Sequence, residues 1–167
     1  MWQIRANNDD QRPDVHVKNP DVPINVHVNN LDVTILLDVS GFSLHKRVYR
    51  KNDHRAHLNE ALAAGILMLS GWDKKTDLYD PMCGSGTILV EAATMVQNIA
   101  PRLFSSKMFA LEKWDNFNLQ LWKKVKKELK QQIEPSSVKI TGTDISPKAV
   151  QMAVFSARDA AVDDFYF

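Results

Sequence analysis

Leu78-Tyr79-Asp80-Pro81-Met82-Cys83-Gly84-Ser85-Gly86-Thr87-Ile88-Leu89-Val90-Glu91-Ala92-Ala93 is the stretch whose reading decides the fold. Leu78 and Tyr79 close an extended run, and Asp80 stands at the strand's carboxyl end. Gly84-Ser85-Gly86 lets the backbone turn tightly and approach a ligand with no Cβ in the way. From Thr87 onward the small and apolar positions, among them Ile88, Val90, Ala92 and Met95, predict a helix. A helix opening directly after a glycine turn points its first N–H groups into the space before it. In an open α/β sheet that space is the crevice where ligands bind.

Downstream, the helix continues to about Asn98 and Pro101 stops it. Residues 101 to about 116 are irregular, with Phe104, Phe109, Leu111 and Trp114 as apolar anchors. Asp115 or Asn116 is placed to cap a further helix. That helix sets Phe117, Leu121, Val125, Leu129 and Ile133 on one face and Lys123, Lys124, Lys126, Lys127 and Lys130 elsewhere. A lysine-rich face reads first as solvated surface, with RNA contact as the alternative. Val138-Lys139-Ile140-Thr141-Gly142-Thr143-Asp144 is the next strand, again ending in an acid. Ser146 caps the following helix with Pro147 at its first position, and Ala149, Met152, Ala153 and Ala157 form its small-residue face. An alternating segment begins at Val162.

Upstream, His54 to about Ser70 reads as a helix with Leu58, Leu62, Ile66 and Leu69 on one face, ended by Gly71. Before it, residues 40–51 form a basic connector. Its Arg47, Tyr49 and Arg50 suit phosphate contact and base stacking, although a solvated linker is the plainer reading. Ile24-Asn25-Val26-His27-Val28 and Val33-Thr34-Ile35-Leu36-Leu37-Asp38-Val39 predict a hairpin about the turn Asn29-Asn30-Leu31-Asp32. Val15-His16-Val17 predicts one more short strand. His16 and His27 fall at outward positions without a second ligand at a useful spacing, so no metal site is expected.

The composition is that of a globular domain: 167 residues, 44% hydrophobic and 25% charged, with a formal net charge of +1. Nothing global demands a polyanionic partner. One cysteine excludes an internal disulfide and fits a reducing compartment. No run approaches the roughly 20 apolar residues that span a bilayer. The first residues lack the features of a signal peptide, so a cytoplasmic protein without membrane contact is expected.

The second half therefore predicts an α/β fold, with helix, strand, glycine turn, helix, strand and helix in the order of a doubly wound sheet. Asp144, at the end of the second strand, can accept hydrogen bonds from ribose hydroxyls. A dinucleotide fingerprint needs a third glycine where Leu89 stands, and a Walker loop needs a Gly-Lys-Ser/Thr ending that is absent. Asp80 before the turn would repel a pyrophosphate and attract a cation. S-adenosylmethionine (SAM), with an ammonium, a sulfonium, a ribose and no phosphate, suits that charge pattern. Cys83 reads as a small packed residue of the turn, since no His or cationic partner stands near it in sequence.

The motif from Asp80 to Ala93 closely resembles the first motif of the THUMP-domain RNA guanine-N2 methyltransferases, most of all the bacterial 23S ribosomal RNA branch. Leu37-Asp38-Val39-Ser40-Gly41-Phe42-Ser43-Leu44-His45-Lys46-Arg47 resembles that family's passage out of the THUMP module. Phe109-Ala110-Leu111-Glu112-Lys113-Trp114 resembles its insertion, and Gly142-Thr143-Asp144-Ile145-Ser146 its second motif. The resemblance implies a class I, Rossmann-like methyltransferase sheet preceded by a small α+β THUMP remnant. Residues 1–47 would end the THUMP module and residues 48–167 would begin the methyltransferase domain. It implies SAM as cofactor, held by Asp80, Pro81, Met82, Gly84, Ser85, Gly86, Thr87, Asp144 and Ile145. The implied partner is 23S ribosomal RNA and the implied reaction is methyl transfer to guanine N2. The family's catalytic Asn/Asp-Pro-Pro-Tyr/Phe motif is expected beyond Phe167, so no catalytic residue is assigned here. Two alternatives remain: a non-catalytic segment that binds SAM or RNA, and an amino-methyltransferase acting on DNA adenine.

Overall fold

The computed structural model describes residues 16, 20–47, 49, 57–162 and 165–166. The expected strand at Val15-His16-Val17 lies outside the described residues apart from His16. The chain divides into two compact units: residues 1–42 with 108–117, and residues 43–107 with 118–167.

In the first unit, β1 (Ile24–Asn29) pairs antiparallel with β2 (Asp32–Leu37), Ile24 opposite Leu37 and Val28 opposite Val33. Both strands are exposed along their length, so the two-residue loop Asn30–Leu31 between the paired Asn29 and Asp32 sets that register. Asn30 takes the left-handed conformation (φ +53°) in the connecting turn, where asparagine is tolerated better than most residues. After β2 the carboxylate of Asp38 accepts from the Ser40 and Gly41 N–H groups and from the Ser40 hydroxyl. The Ser40 hydroxyl, then those backbone donors, hold the Asp38 carboxyl below its ordinary pKa. The tight corner receives the 3₁₀ turn Ala110–Lys113. Ala110 N–H donates to Ser40 O and Leu111 N–H to Val39 O, at 3.1 Å each. A Cβ on Gly41 would lie 2.9 Å from that of Ala110, so glycine is needed there. Trp114 Nε1–H donates to Asp21 O (3.1 Å), and the Phe42 and Phe109 rings meet at 5.2 Å.

The second unit holds a parallel three-stranded sheet in the order β3 (Leu78–Asp80), β4 (Ile140–Gly142), β5 (Phe165–Tyr166). Helices α1 (Glu60–Leu69), α2 (Thr87–Val96), α3 (Leu119–Gln131) and α4 (Pro147–Asp159) complete it. Helices α2 and α4 touch, as expected when successive crossovers between neighbouring parallel strands share one hand. The core between them is Leu89, Val90, Ala92, Ile140, Ala153, Ala157 and Val162, all buried.

Three local expectations are corrected. Helix α1 begins at Glu60 behind an Asn59 cap, whose side chain accepts from Leu62 N–H; residues 57–59 of the expected helix are not helical, and His54 lies outside the described residues. Its inward face is Glu60, Ala63 and Leu67, while Leu62, Ile66 and Leu69 are exposed. Both stripes have helical spacing, and the one carrying the small Ala63 allows the closer approach to α2. Helix α3 is capped by Asn118, accepting from Leu121 N–H at 2.9 Å, and not by Asp115 or Asn116. The predicted caps of α4 stand as expected: Ser146 accepts from Ala149 N–H and Pro147 opens the helix.

Candidate active site

The carboxyl ends of β3 and β4 lie side by side, with Asp80 paired to Gly142 across the sheet. Thr143 N–H donates to Asp80 O and Cys83 N–H to Thr143 O, both at 2.9 Å, which extends the ladder past the strand ends into the turn. Tyr79 and Thr143 share a hydroxyl hydrogen bond of 2.9 Å at the same edge. The two acids, 64 residues apart in sequence, therefore stand at the same end of neighbouring strands. Asp80 Oδ1 accepts from Met82 N–H (3.1 Å). Asp144 Oδ1 accepts from Ser146 N–H (2.8 Å), and its Oδ2 accepts from Gly84 N–H (3.0 Å). The Asp144 carboxylate thus ties the glycine turn to the second strand end, and each oxygen keeps a lone pair for a further donor.

The two glycines of the turn do different work. Gly84 (φ +54°) would carry a Cβ into open space, with nothing within 4 Å. Gly86 (φ +77°) caps α2 and is buried; a Cβ there would lie 2.8 Å from the Ala153 Cβ and 3.1 Å from its Cα. The close backbone approach that Gly86 permits is to α4. Gly142, read only as part of the second motif, is tighter still: a Cβ would lie 2.3 Å from Leu89 Cδ1. Thr87 is buried in the first turn of α2, while Pro81 is exposed and Ser85 half-buried. Met82 (82%) and Ile145 (102%) are the exposed apolar side chains next to Asp80 and Asp144. Cys83 is buried beneath the turn. Burial, then the neighbouring Asp80 and Asp144 charges, push its thiol pKa up, which keeps it protonated and unreactive at neutral pH.

Sequence reasoning missed Glu91. It is buried on α2, and its carboxylate accepts from Arg47 Nε and Nη2 at 3.2 Å each and from the Tyr49 hydroxyl at 2.9 Å. Tyr49 is itself buried, and the Arg47 side chain is 14% exposed. The connector residues expected at RNA are thus engaged inside the second unit, and Arg50 lies outside the described residues. A signal was present: a lone carboxylate in the apolar run Thr87–Val96, with an Arg-x-Tyr pair upstream. A cleft of about 460 Å³ also adjoins Arg47 and Glu91, and none of the residues expected to hold a cofactor lines it. Among the described residues no three His, Cys, Asp or Glu side chains gather as a metal cluster would require. No helix among them is long and apolar enough to cross a membrane.

Residues 47–167 match the family described as UPF0020, RMKL-like, methyltransferase domain. The chain belongs to that family. Residues 3–38 match the THUMP domain, so the RMKL-like domain follows a THUMP match along the chain. The ribosomal RNA large subunit methyltransferases K/L of Vibrio campbellii and Vibrio parahaemolyticus are each 37% identical to it over 157 residues. Those alignments cover 92% of this chain and 22% of the relatives, so the chain spans about a fifth of their length. Among solved structures, a possible methylase from Clostridium difficile 630 is similar at 36% identity with a TM-score of 0.84, covering 98% of this chain and 42% of that one. SMU.472, solved complexed with SAH, is similar at 32% identity and a TM-score of 0.78, covering 87% and 38%. A predicted N6-adenine-specific DNA methylase from Listeria monocytogenes is similar at 30% identity and a TM-score of 0.85, covering 99% and 43%. In this RMKL-like chain, the glycine turn and both strand-terminal acids lie inside the matched region.

Proposed function

We propose that the chain holds the methyl donor of an RNA methyltransferase, and that the acceptor is the exocyclic N2 of a guanine in 23S ribosomal RNA. The observation that carries this reading is the junction of Asp144 with Gly84, which ties the glycine turn to the second strand end. The residues there fit SAM. The open space at Gly84 leaves room against the backbone, and two carboxylates without a basic neighbour in the motif suit a cationic ligand. The SAH complex of SMU.472 supports the same cofactor.

In this proposal Asp144 accepts from the ribose hydroxyls and Asp80 faces the ammonium of the methionine end. Met82 and Ile145 lay exposed apolar surface along the ligand, with Pro81 and Ser85 shaping the wall. Gly86 lets the turn pack against α4, and Thr87 begins α2. When bound, SAM supplies an electrophilic methyl group on a sulfonium. The protein's part is positioning, which can supply several kcal/mol of a transfer barrier. The guanine amine is a weak nucleophile, because its lone pair is delocalised into the ring. A paired base must leave its stack to reach the crevice. We place the residues that present it outside this chain. Residues 1–47 are proposed as the end of a THUMP module. Residues 48–167 are proposed as the first part of a doubly wound methyltransferase sheet, working in the cytoplasm.

The full-length protein, incubated with methyl-labelled SAM and unmodified 23S RNA, is expected to label guanine N2. The Listeria likeness favours a second reading, with DNA adenine as acceptor, and label in adenine of DNA would select it. No transfer to either would overturn the enzymatic reading. Asp144→Ala should weaken SAM binding at least tenfold, since charge-assisted hydrogen bonds contribute about 1.5–3 kcal/mol each. Unchanged affinity by calorimetry would remove Asp144 from the site.

A further inference from the structure

Helix α3 carries the densest charge in the molecule. Leu119–Gln131 contains five lysines and one glutamate, although the whole chain has a net charge of only +1. At 100° per residue, Lys126, Lys130, Lys123, Lys127 and Lys124 sweep one arc in that order, and Val125, Leu129 and Trp122 occupy the opposite side. Lys124 reaches Glu128 at 3.9 Å. Among the described residues no carboxylate pairs with Lys123, Lys127 or Lys130, which stand at i, i+4 and i+7 over about 10 Å of helix.

A second, independent feature adjoins this arc. The Lys130 ammonium lies 5.9 Å from the centroid of the Phe104 ring, which is 47% exposed. Phe104 stands in a fixed turn. Arg102 donates from Nη1 to Lys46 O (2.7 Å) and from Nη2 to Ser105 Oγ (3.0 Å), and Leu103 N–H donates to Ala100 O (3.1 Å). An exposed aromatic held rigidly beside a row of free ammonium groups is the combination that binds unpaired nucleic acid: cations follow the phosphates and the ring stacks on a base. A face that was merely solvated would need neither the unpaired spacing nor the anchored ring.

We infer that the lysine arc of α3, with Phe104 at its end, docks a single-stranded segment of the RNA. This rests on the RNA substrate proposed above, and it replaces the solvated face as the reading of these lysines. It also shifts the expected RNA contact away from Arg47 and Tyr49, whose polar groups meet Glu91.

The test uses the full-length protein and unmodified 23S RNA, with transfer followed against salt concentration. Lys123→Gln, Lys127→Gln and Lys130→Gln together should raise KM for RNA at least tenfold at low salt. They should lower the slope of log affinity against log salt by roughly 2, since each phosphate contact to a single strand contributes about 0.7. The Kd for SAM should be unchanged, which also reports that the variant is folded. Phe104→Leu should weaken RNA binding about tenfold with little change in salt slope. If the native protein methylates RNA and the triple variant keeps its KM and slope, the docking surface is overturned, including the case in which the arc serves an acidic protein partner. If the native protein methylates no RNA, the underlying reading fails instead.

Discussion

Exchange of Glu91 for alanine is expected to cost about 3–5 kcal/mol of folding stability, the range for removing one partner of a buried ion pair. The Glu91 side chain is 6% exposed, and it compensates a guanidinium that is itself largely out of water. Without it Arg47 keeps its charge and loses two acceptors, and the Tyr49 hydroxyl loses a third bond. Glu91→Gln should cost less, because one oxygen remains for Tyr49 while the charge is still lost. For a chain of this size, 3–5 kcal/mol corresponds to a fall in Tm of roughly 6–20 °C. Thermal and urea melts of the two variants measure it. A loss below about 1 kcal/mol for alanine would mean that water reaches the guanidinium freely, and the buried-pair account would fall.

Gly86→Ala is the second change with a large expected effect, and Gly84→Ala is its control. Both sites have positive φ, so alanine at either meets a backbone cost of about 1–2 kcal/mol. Only at Gly86 does the new methyl collide with a packed helix, at 2.8 Å from Ala153 Cβ, and overpacking adds about 1–3 kcal/mol. Gly86→Ala should therefore lose about 2–5 kcal/mol, and Gly84→Ala about 1–2. The ranking should invert for SAM affinity relative to stability, because the Gly84 methyl projects into open space where SAM is proposed to bind. Equal destabilisation of the two variants would contradict the division of labour between these glycines.

How much of this could be read beforehand depended on how local the determinant is. The strand, turn and helix around Gly84–Gly86 write their signature within sixteen consecutive residues, and the hairpin at 24–37 writes its own in its alternation. The Ser146-Pro147 start of α4 is equally local. The meeting of Asp80 and Asp144 was inferable because parallel strands bring their carboxyl ends to one edge. The misjudged face of α1 shows the limit of periodicity: two apolar stripes fit 3.6 residues per turn, and side-chain size against α2 selected between them. The cap of α3 was misplaced by two or three residues because Asp115, Asn116 and Asn118 are all competent acceptors. Glu91 stood out as a lone carboxylate in an apolar run, but its partners could not be named. Its partners lie 42 and 44 residues upstream, and no propensity or spacing rule links them.

The 3₁₀ turn at Ala110–Lys113 belongs with the corner at Val39–Ser40, although some seventy residues separate them. The intervening residues mostly build the other unit. On the ribosome, then, the hairpin can close early, but its surroundings wait for a distant stretch of chain. At about 5–20 residues per second, roughly 4–15 s pass between synthesis of Gly41 and of Trp114. Through that interval the carbonyls of Val39 and Ser40 lack the N–H donors of Leu111 and Ala110, and the N-terminal unit cannot close until residues 108–117 have been made. The hairpin is thus born long before its corner is completed, and a nascent-chain proteolysis series would see protection of residues 24–41 complete only after Trp114 has cleared the exit tunnel.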